Sequence, residues 1–206
     1  MSDNTLRTAL ITGASSGIGA TYADRLARRG HALVLVARDK DRMDAIATRL
    51  RGAYGVEVEV LPADLTAMDD LRRVETRLRQ DARIGLLVNN AGAAGHGGFA
   101  DPDLDVQDRL IRLNVTAVTR LAGAVVPRFL AEGGGAIINI ASVLALAPEG
   151  LPGIYAATKA FVLTFSQSLQ FELGGRGLYV QAVLPAATRT EIWARSGRDV
   201  DALSGV

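Results

Sequence analysis

Short apolar runs alternate with longer amphipathic stretches from one end of the chain to the other. The runs lie at 8–11, 32–37, 56–61, 84–88, 136–140 and 179–184. Five are nearly continuous in Val, Ile, Leu and Ala, the pattern of strands buried on both faces beneath covering helices in a parallel sheet. The third differs: Val56, Val58 and Val60 alternate with Glu57 and Glu59, which predicts a half-exposed strand at a sheet edge. Between the strands, Met43, Ile46, Ala47 and Leu50 fall on one helical face with Arg and Asp on the other, so this segment is expected to lie as a helix on the sheet. The alternation continues without a Pro/Ser-rich linker or an internal repeat. It predicts one doubly wound α/β domain over 1–206.

Composition narrows the chemistry. The 206 residues are 49% hydrophobic and 22% charged, enough for a sizeable core, and include no cysteine. That excludes disulfides, thiolate zinc sites and a cysteine nucleophile, and two histidines, His31 and His96, are too few for a three-histidine metal site. No metal site is expected. With 23 basic and 22 acidic residues the formal net charge is +1, so nothing draws the chain to nucleic acid or an anionic membrane, and a small-molecule partner is expected. The N-terminus lacks a basic region followed by an apolar core, and the longest uncharged stretch, 133–148, is too short to span a bilayer. A cytoplasmic protein is the expectation.

Glycine clusters mark strand ends at 13–19, 92–98 and 133–135. The first two follow strands at their carboxyl ends, where open α/β sheets bind ligands, and the third is expected to close a helix. The first cluster, Thr12-Gly-Ala-Ser-Ser-Gly-Ile-Gly19, opens a helix running to about Arg29. Glycines there let the backbone turn and approach a pyrophosphate, whose charge the helix N-terminus stabilises, although a glycine turn alone is often only a tight connection. Downstream come Asn89-Asn-Ala-Gly92, then Ser142, Tyr155 and Lys159 at intervals of thirteen and four. Tyr155 and Lys159, at i and i+4, share one helical face. A free tyrosine, with pKa near ~10, lacks roughly 4 kcal/mol for ionisation at pH 7. A nearby ammonium together with an oxidised nicotinamide ring is expected to bring Tyr155 toward the operating pH, where it can give or take a proton, while Ser142 aligns a substrate oxygen. A lone Tyr-x-x-x-Lys is more often a surface pair; here it stands with a serine and a nucleotide loop.

In these motifs, TGxxxGxG, NNAG and Ser-Tyr-Lys, the sequence resembles the short-chain dehydrogenase/reductase family over essentially its whole length. The resemblance implies a Rossmann-type sheet ordered 3-2-1-4-5-6 and a nicotinamide cofactor across the strand ends, contacted by Gly13, Ser15, Ser16, Gly17, Ile18, Gly19, Asn90, Ala91 and Gly92. It implies Ser142, Tyr155 and Lys159 as catalytic residues, with Tyr155 and Lys159 also contacting the cofactor, and Asn114 as a fourth, supporting a proton relay. Asn114 in an apolar helix could instead satisfy a local backbone group. Asp64 and Leu65 match the adenine-contacting pair, although Asp64 could equally cap the helix beginning near Thr66. Pro185 and Thr188 match the segment that binds the carboxamide, with Ala186 replacing the usual glycine, which matters if that position requires positive φ.

An acidic residue closing the second strand would bind the adenosine ribose and repel a 2′-phosphate; here Ala37 stands there and Arg38 follows. NADP(H) is favoured, with NAD(H) possible, although Arg38 could also be a solvated start to the next helix. Val143, Leu144, Leu151 and Trp193, with Leu146 and Pro148, are expected to line or cover an apolar substrate pocket; His96 is left out of the mechanism. Residues 191–206 correspond to the family's substrate lid. Members of the family continue by several tens of residues to a covering helix and a seventh strand absent from this chain, without which 179–184 is an open apolar edge, so either residues beyond Val206 or a shortened chain of impaired activity is expected, the former being favoured. Apolar positions around nearly the whole circumference of helix 155–173, together with helix 106–130, imply a homodimer or homotetramer. The activity implied is interconversion of a carbonyl compound and its alcohol. A nucleotide-sensing protein, or an epimerase or dehydratase using the same cofactor, is the alternative.

Overall fold

The structure is a computed structural model and describes residues 7–95, 99–100, 102–150 and 153–186. Six strands, β1 (Thr8–Thr12), β2 (Leu33–Ala37), β3 (Val58–Pro62), β4 (Ile84–Asn89), β5 (Gly135–Ile140) and β6 (Leu178–Val183), form one parallel sheet in the order β3-β2-β1-β4-β5-β6. Helices α1 (Gly17–Arg28), α2 (Lys40–Tyr54), α3 (Met68–Gln80), α4 (Leu104–Ile111), α5 (Val118–Ala131) and α6 (Tyr155–Leu173) make the crossovers. The chain winds outward from β1 to β3, then returns and winds the other way from β4. Consequently the connections leaving β1 and β4 diverge and leave a crevice at the carboxyl ends of the strands.

Alternation along each buried strand feeds two cores. Leu10, Val34, Val36, Leu87 and Ile137 face α3, α5 and α6, where Leu71, Leu78, Leu121 and Phe129 cover them. On the opposite face Ala9, Ile11, Leu33, Leu35 and Val88 pack beneath Ala23, Leu26, Met43, Ala47 and Leu50 of α1 and α2. The face read from 43, 46, 47 and 50 is therefore the sheet-facing side of α2. That helix starts at Asp39, whose carboxylate accepts the Arg42 N–H, and stops at Gly55 in the left-handed region.

The edge position expected for β3 is observed, with Val58 buried and Glu59 exposed. The continuous burial expected for the sixth strand is not. β6 is the outer strand on the other side of the described sheet, and Tyr179 and Gln181 point outward between buried Leu178 and Val180. The helix expected at 106–130 runs as Leu104–Ala131 but is not uniform: Arg112–Ala117 forms a π-helical turn between α4 and α5. By length and composition this helix could cross a membrane. Here it lies on the sheet, burying Leu121, Ala122, Val125 and Phe129 in the core. Gly133, at positive φ, follows α5 and closes it as expected.

Candidate active site

The site is built where β1 and β4 end. Buried Thr12 closes β1; its hydroxyl donates to the Val88 carbonyl (3.2 Å) and accepts the N–H groups of Asn90 (2.9 Å) and Ala91 (3.0 Å). Asn90 replies through its side chain, Nδ2 donating to the carbonyls of Thr12 (2.8 Å) and Gly13 (3.2 Å). These bonds clasp the glycine loop to the NNAG segment, so the Asn90 amide is engaged by the protein itself. Two of the glycines answer to the same packing. A Cβ on Gly13, at φ +64°, would sit 2.7 Å from Asn90 Nδ2, and one on Gly19 would sit 2.3 Å from the Gly13 carbonyl oxygen. The loop is tight for its own sake as well as for an approaching phosphate. Ser16 precedes α1 in extended conformation without a side-chain cap, leaving the first-turn N–H groups, among them those of Gly17, Ile18 and Gly19, beside Ser15 and open to an anion.

Arg38 follows β2, exposed; the helix start beside it is made by Asp39, which pairs with Arg42. Asp64 does not cap a helix. Its carboxylate accepts from the N–H and hydroxyl of Thr66 (2.9 and 2.7 Å), while α3 begins after Ala67. The Leu65 side chain is buried in the core, which leaves its backbone, not its side chain, for a ligand. Ala186 is not at positive φ, a region that only glycines occupy among the described residues, so the replacement imposes no strain there. Thr188, Leu151, Trp193, His96 and the lid at 191–206 lie outside the described residues.

The π turn presents Asn114 to two elements at once. Its Oδ1 accepts the Ala93 N–H (3.0 Å), and Nδ2 donates to the Ala93 carbonyl (3.0 Å) and to Thr158 Oγ1 (3.0 Å). Both side-chain N–H groups are thus used to hold the loop after β4 against α6, a tertiary role rather than the local backbone contact weighed from sequence. A Cβ on Gly92 would lie 3.3 Å from both Asn114 Oδ1 and Lys159 Nζ, so glycine keeps open the gap between these two polar groups.

Ser142 follows β5 in extended conformation, buried, and its hydroxyl accepts the Leu144 N–H (3.2 Å). Tyr155 is 8% exposed and Lys159 5%. Lys159 Nζ donates to the Ile140 carbonyl (2.7 Å) and lies 5.8 Å from the centre of the Tyr155 ring. Burial pushes the Tyr155 phenol up, with the neighbouring Ser142 hydroxyl partly opposing it, and pushes Lys159 down from 10.5 to about 8. In the ligand-free site desolvation of the phenolate is the dominant influence on Tyr155. Around Tyr155 stand Leu110, Ala93, Ala94, Leu144 and Ile154, an apolar cluster. Of the expected pocket residues, Leu144 joins it, while Val143 and Leu146 are exposed.

The sequence pattern does not single out Thr12, Asn139, Ile140, Thr158 or Ser166 as site residues. Thr12 carried a signal, a hydroxyl closing an otherwise apolar strand immediately before the glycines. The Ile140 contribution is a backbone carbonyl, which no side-chain pattern reveals.

Residues 7–201 match the family model described as short chain dehydrogenase, and the chain belongs to that family. A short-chain dehydrogenase from Sphingobium yanoikuyae, solved in complex with NADPH, is 65% identical with a TM-score of 0.96, covering 98% of this chain and 78% of that one. The bulky-bulky ketone specific alcohol dehydrogenase from Comamonas testosteroni is 61% identical with a TM-score of 0.89, covering 90% and 74%. Among curated relatives, the very-long-chain 3-oxoacyl-CoA reductase of Homo sapiens is 37% identical over 188 residues, 89% of this chain. The chain spans 60% of that relative's length.

The lowered Lys159 pKa has a consequence for stability. Between about 8 and 10.5 the unfolded chain binds the lysine proton and the folded one does not, so folding gains as pH rises through that window. Lys159→Met removes the effect. Comparing urea unfolding of the two proteins, the stability difference is expected to move toward the unsubstituted protein by about 1 to 2 kcal/mol between pH ~7.5 and ~9.5; a difference independent of pH contradicts a buried, desolvated ammonium.

Proposed function

We propose that this chain is the catalytic core of an NADP(H)-dependent oxidoreductase that interconverts an apolar carbonyl compound and its alcohol. The observation that carries the reading is the joint burial of Ser142, Tyr155 and Lys159 just beyond the end of β5, with Lys159 Nζ on the Ile140 carbonyl (2.7 Å) and 5.8 Å from the centre of the Tyr155 ring.

The residues present fit a dinucleotide. The uncapped start of α1 and the Gly13–Gly19 turn suit a pyrophosphate, Asp64 and the Leu65 backbone the adenine side, and Gly92, Pro185 and Lys159 the nicotinamide end. Exposed Arg38 suits a 2′-phosphate, and no acidic residue closes β2 to repel one, which supports NADP(H) over NAD(H). When bound, the nicotinamide supplies or accepts the hydride. The protein handles the proton. Ser142 and Tyr155 present two hydroxyls to the same substrate oxygen, and a phenol that burial keeps protonated is a proton donor at neutral pH, which suits carbonyl reduction. For the reverse reaction Tyr155 must hold charge, and the Lys159 ammonium, protonated below about 8, is placed to favour it. Asn114, already committed to Ala93 and Thr158, keeps one Oδ1 lone pair toward the gap beside Lys159 and serves there to hold the shape of the site.

The apolar cluster at Tyr155 supports a bulky, uncharged substrate, in line with the ketone specificity of the Comamonas relative. We further read the protein as a cytoplasmic homo-oligomer. Phe161 and Phe171 of α6 and Ile111 of α4 are exposed, Phe171 at 94%, and Phe161 stacks on Phe165 at 5.7 Å, an apolar face that the chain's own sheet does not cover.

Bulky ketones incubated with NADPH, and in parallel with NADH, are expected to consume cofactor; a reaction without net consumption would point to epimerisation or dehydration instead. Tyr155→Phe is expected to lower turnover more than a hundredfold with NADPH affinity nearly unchanged, and activity within tenfold of the original excludes Tyr155 as the acid. Arg38→Asp is expected to weaken NADPH binding about ten- to hundredfold and reverse the preference, since a charge-assisted contact contributes roughly 1.5–3 kcal/mol; equal use of both cofactors before substitution shows Arg38 facing solvent. Sedimentation at micromolar concentration is expected to give a dimer or tetramer, and a monomer contradicts the apolar-face argument.

A further inference from the structure

Beneath the site runs a line of buried side-chain hydrogen bonds that the chemistry above does not use. Ser166 Oγ donates to the Val162 carbonyl (2.6 Å), which spends its hydrogen, so toward β5 it accepts from Asn139 Nδ2 (2.9 Å). The amide direction of Asn139 is thereby settled: its Oδ1 faces β4 and takes a hydrogen bond from Asn89 Nδ2 (2.9 Å). All three residues are buried, Asn139 and Asn89 being register partners in the sheet, and the line ends at Asn89 Oδ1, which has no partner. Core built for stability would be apolar here, as it is at neighbouring Leu87 and Ile137. A polar line that leaves one acceptor unsatisfied adds little to stability and gives up apolar packing.

What the line does supply is a fixed distance. Asn139 precedes Ile140, the residue whose carbonyl receives Lys159 Nζ, and Ser166 lies two helical turns beyond Lys159 on the same face of α6. Lysine has a long flexible arm and would follow α6 through several placements. The serine hydroxyl is short and its contact leaves no slack. At the other end, the main chain links Asn89 directly to Asn90, whose side chain clasps Thr12 and Gly13, so the line from α6 through β5 reaches β4 beside the residue that holds the glycine loop.

We propose that Asn139 and Ser166 are positioning residues, holding α6 at one separation from the end of β5 and thereby keeping the Lys159 ammonium on the Ile140 carbonyl beside Tyr155. The inference rests on the roles of Tyr155 and Lys159 given above. The sequence holds two lysines, Lys40 and Lys159, and Lys40 is exposed and paired with Asp44, so the Lys159 ammonium can be followed alone by NMR in the ligand-free protein. In Ser166→Ala the Lys159 midpoint is expected to rise by about one pH unit or more toward 10.5, the ordinary value, with melting temperature within a few degrees of the original. Turnover of propiophenone with NADPH is expected to fall about tenfold. Ser166→Thr, which keeps the hydroxyl, is expected to restore both. An unmoved midpoint in Ser166→Ala, or a Thr variant that behaves like Ala, overturns the proposal. Should Ser166→Ala not fold, near-isosteric Ser166→Cys takes its place, and an unmoved midpoint there overturns it equally. Tyr155→Phe measured alongside separates the two claims: if it stays active the catalytic reading has failed, while the Lys159 midpoint still decides the positioning one.

Discussion

The hydroxyl of Thr12 is the pivot of this molecule. In a doubly wound sheet the connections leaving the two central strands part company, and the crevice they create is useful only if its two rims stay in register. One buried hydroxyl, bonded to Val88, Asn90 and Ala91, makes that junction, and Asn90 returns the connection to the β1 loop. With the rims pinned, Gly13 and Gly19 are confined so closely that a single added carbon at either would strike the backbone opposite or the loop itself. The turn that faces the open start of α1 is therefore held from beneath by polar bonds within the chain, not by a ligand.

A second constraint acts on α6. Tyr155 and Lys159 lie on the inward side of a helix that also meets the π turn through Thr158 and Asn114 and meets β5 through Ser166 and Asn139. Such burial takes both titrating groups out of water, and desolvation works against charge on each. The phenol is held protonated and the ammonium is weakened. In the ligand-free site that desolvation is the dominant influence on the phenol. The site as it stands is an acid, held beside a serine hydroxyl within an apolar surround.

Identity of 65% and 61% to two dehydrogenases, with TM-scores of 0.96 and 0.89, extends over 98% and 90% of this chain, while the human curated reductase matches it at 37% identity within a longer protein. The family's sheet and crevice are common ground. In this chain the apolar surround of the tyrosine comes from Ala93, Ala94, Leu110, Leu144 and Ile154.

The sequence alone determined the order and type of the elements, because burial on both faces of a parallel sheet forces continuous apolar runs and burial of one helical face forces a period of 3.6. It also determined the exposed edge at β3, through its Val–Glu alternation, and the grouping of Ser142, Tyr155 and Lys159, through motif spacing. Only the tertiary structure decided the rest. The alternation in β6 is set by its place at the margin of the described sheet, which its apolar composition does not disclose. The π turn at Asn114 follows from what the side chain must reach, Ala93 and Thr158, across 21 and 44 residues of sequence. Thr12, Asn139 and Ser166 matter through partners 27 to 79 residues away. The charge state of the catalytic pair depends on solvent exclusion, a property of the packed neighbourhood. Periodicity is a local consequence of burial and can be read along the chain; a hydrogen bond or a desolvation cost exists only once distant segments meet.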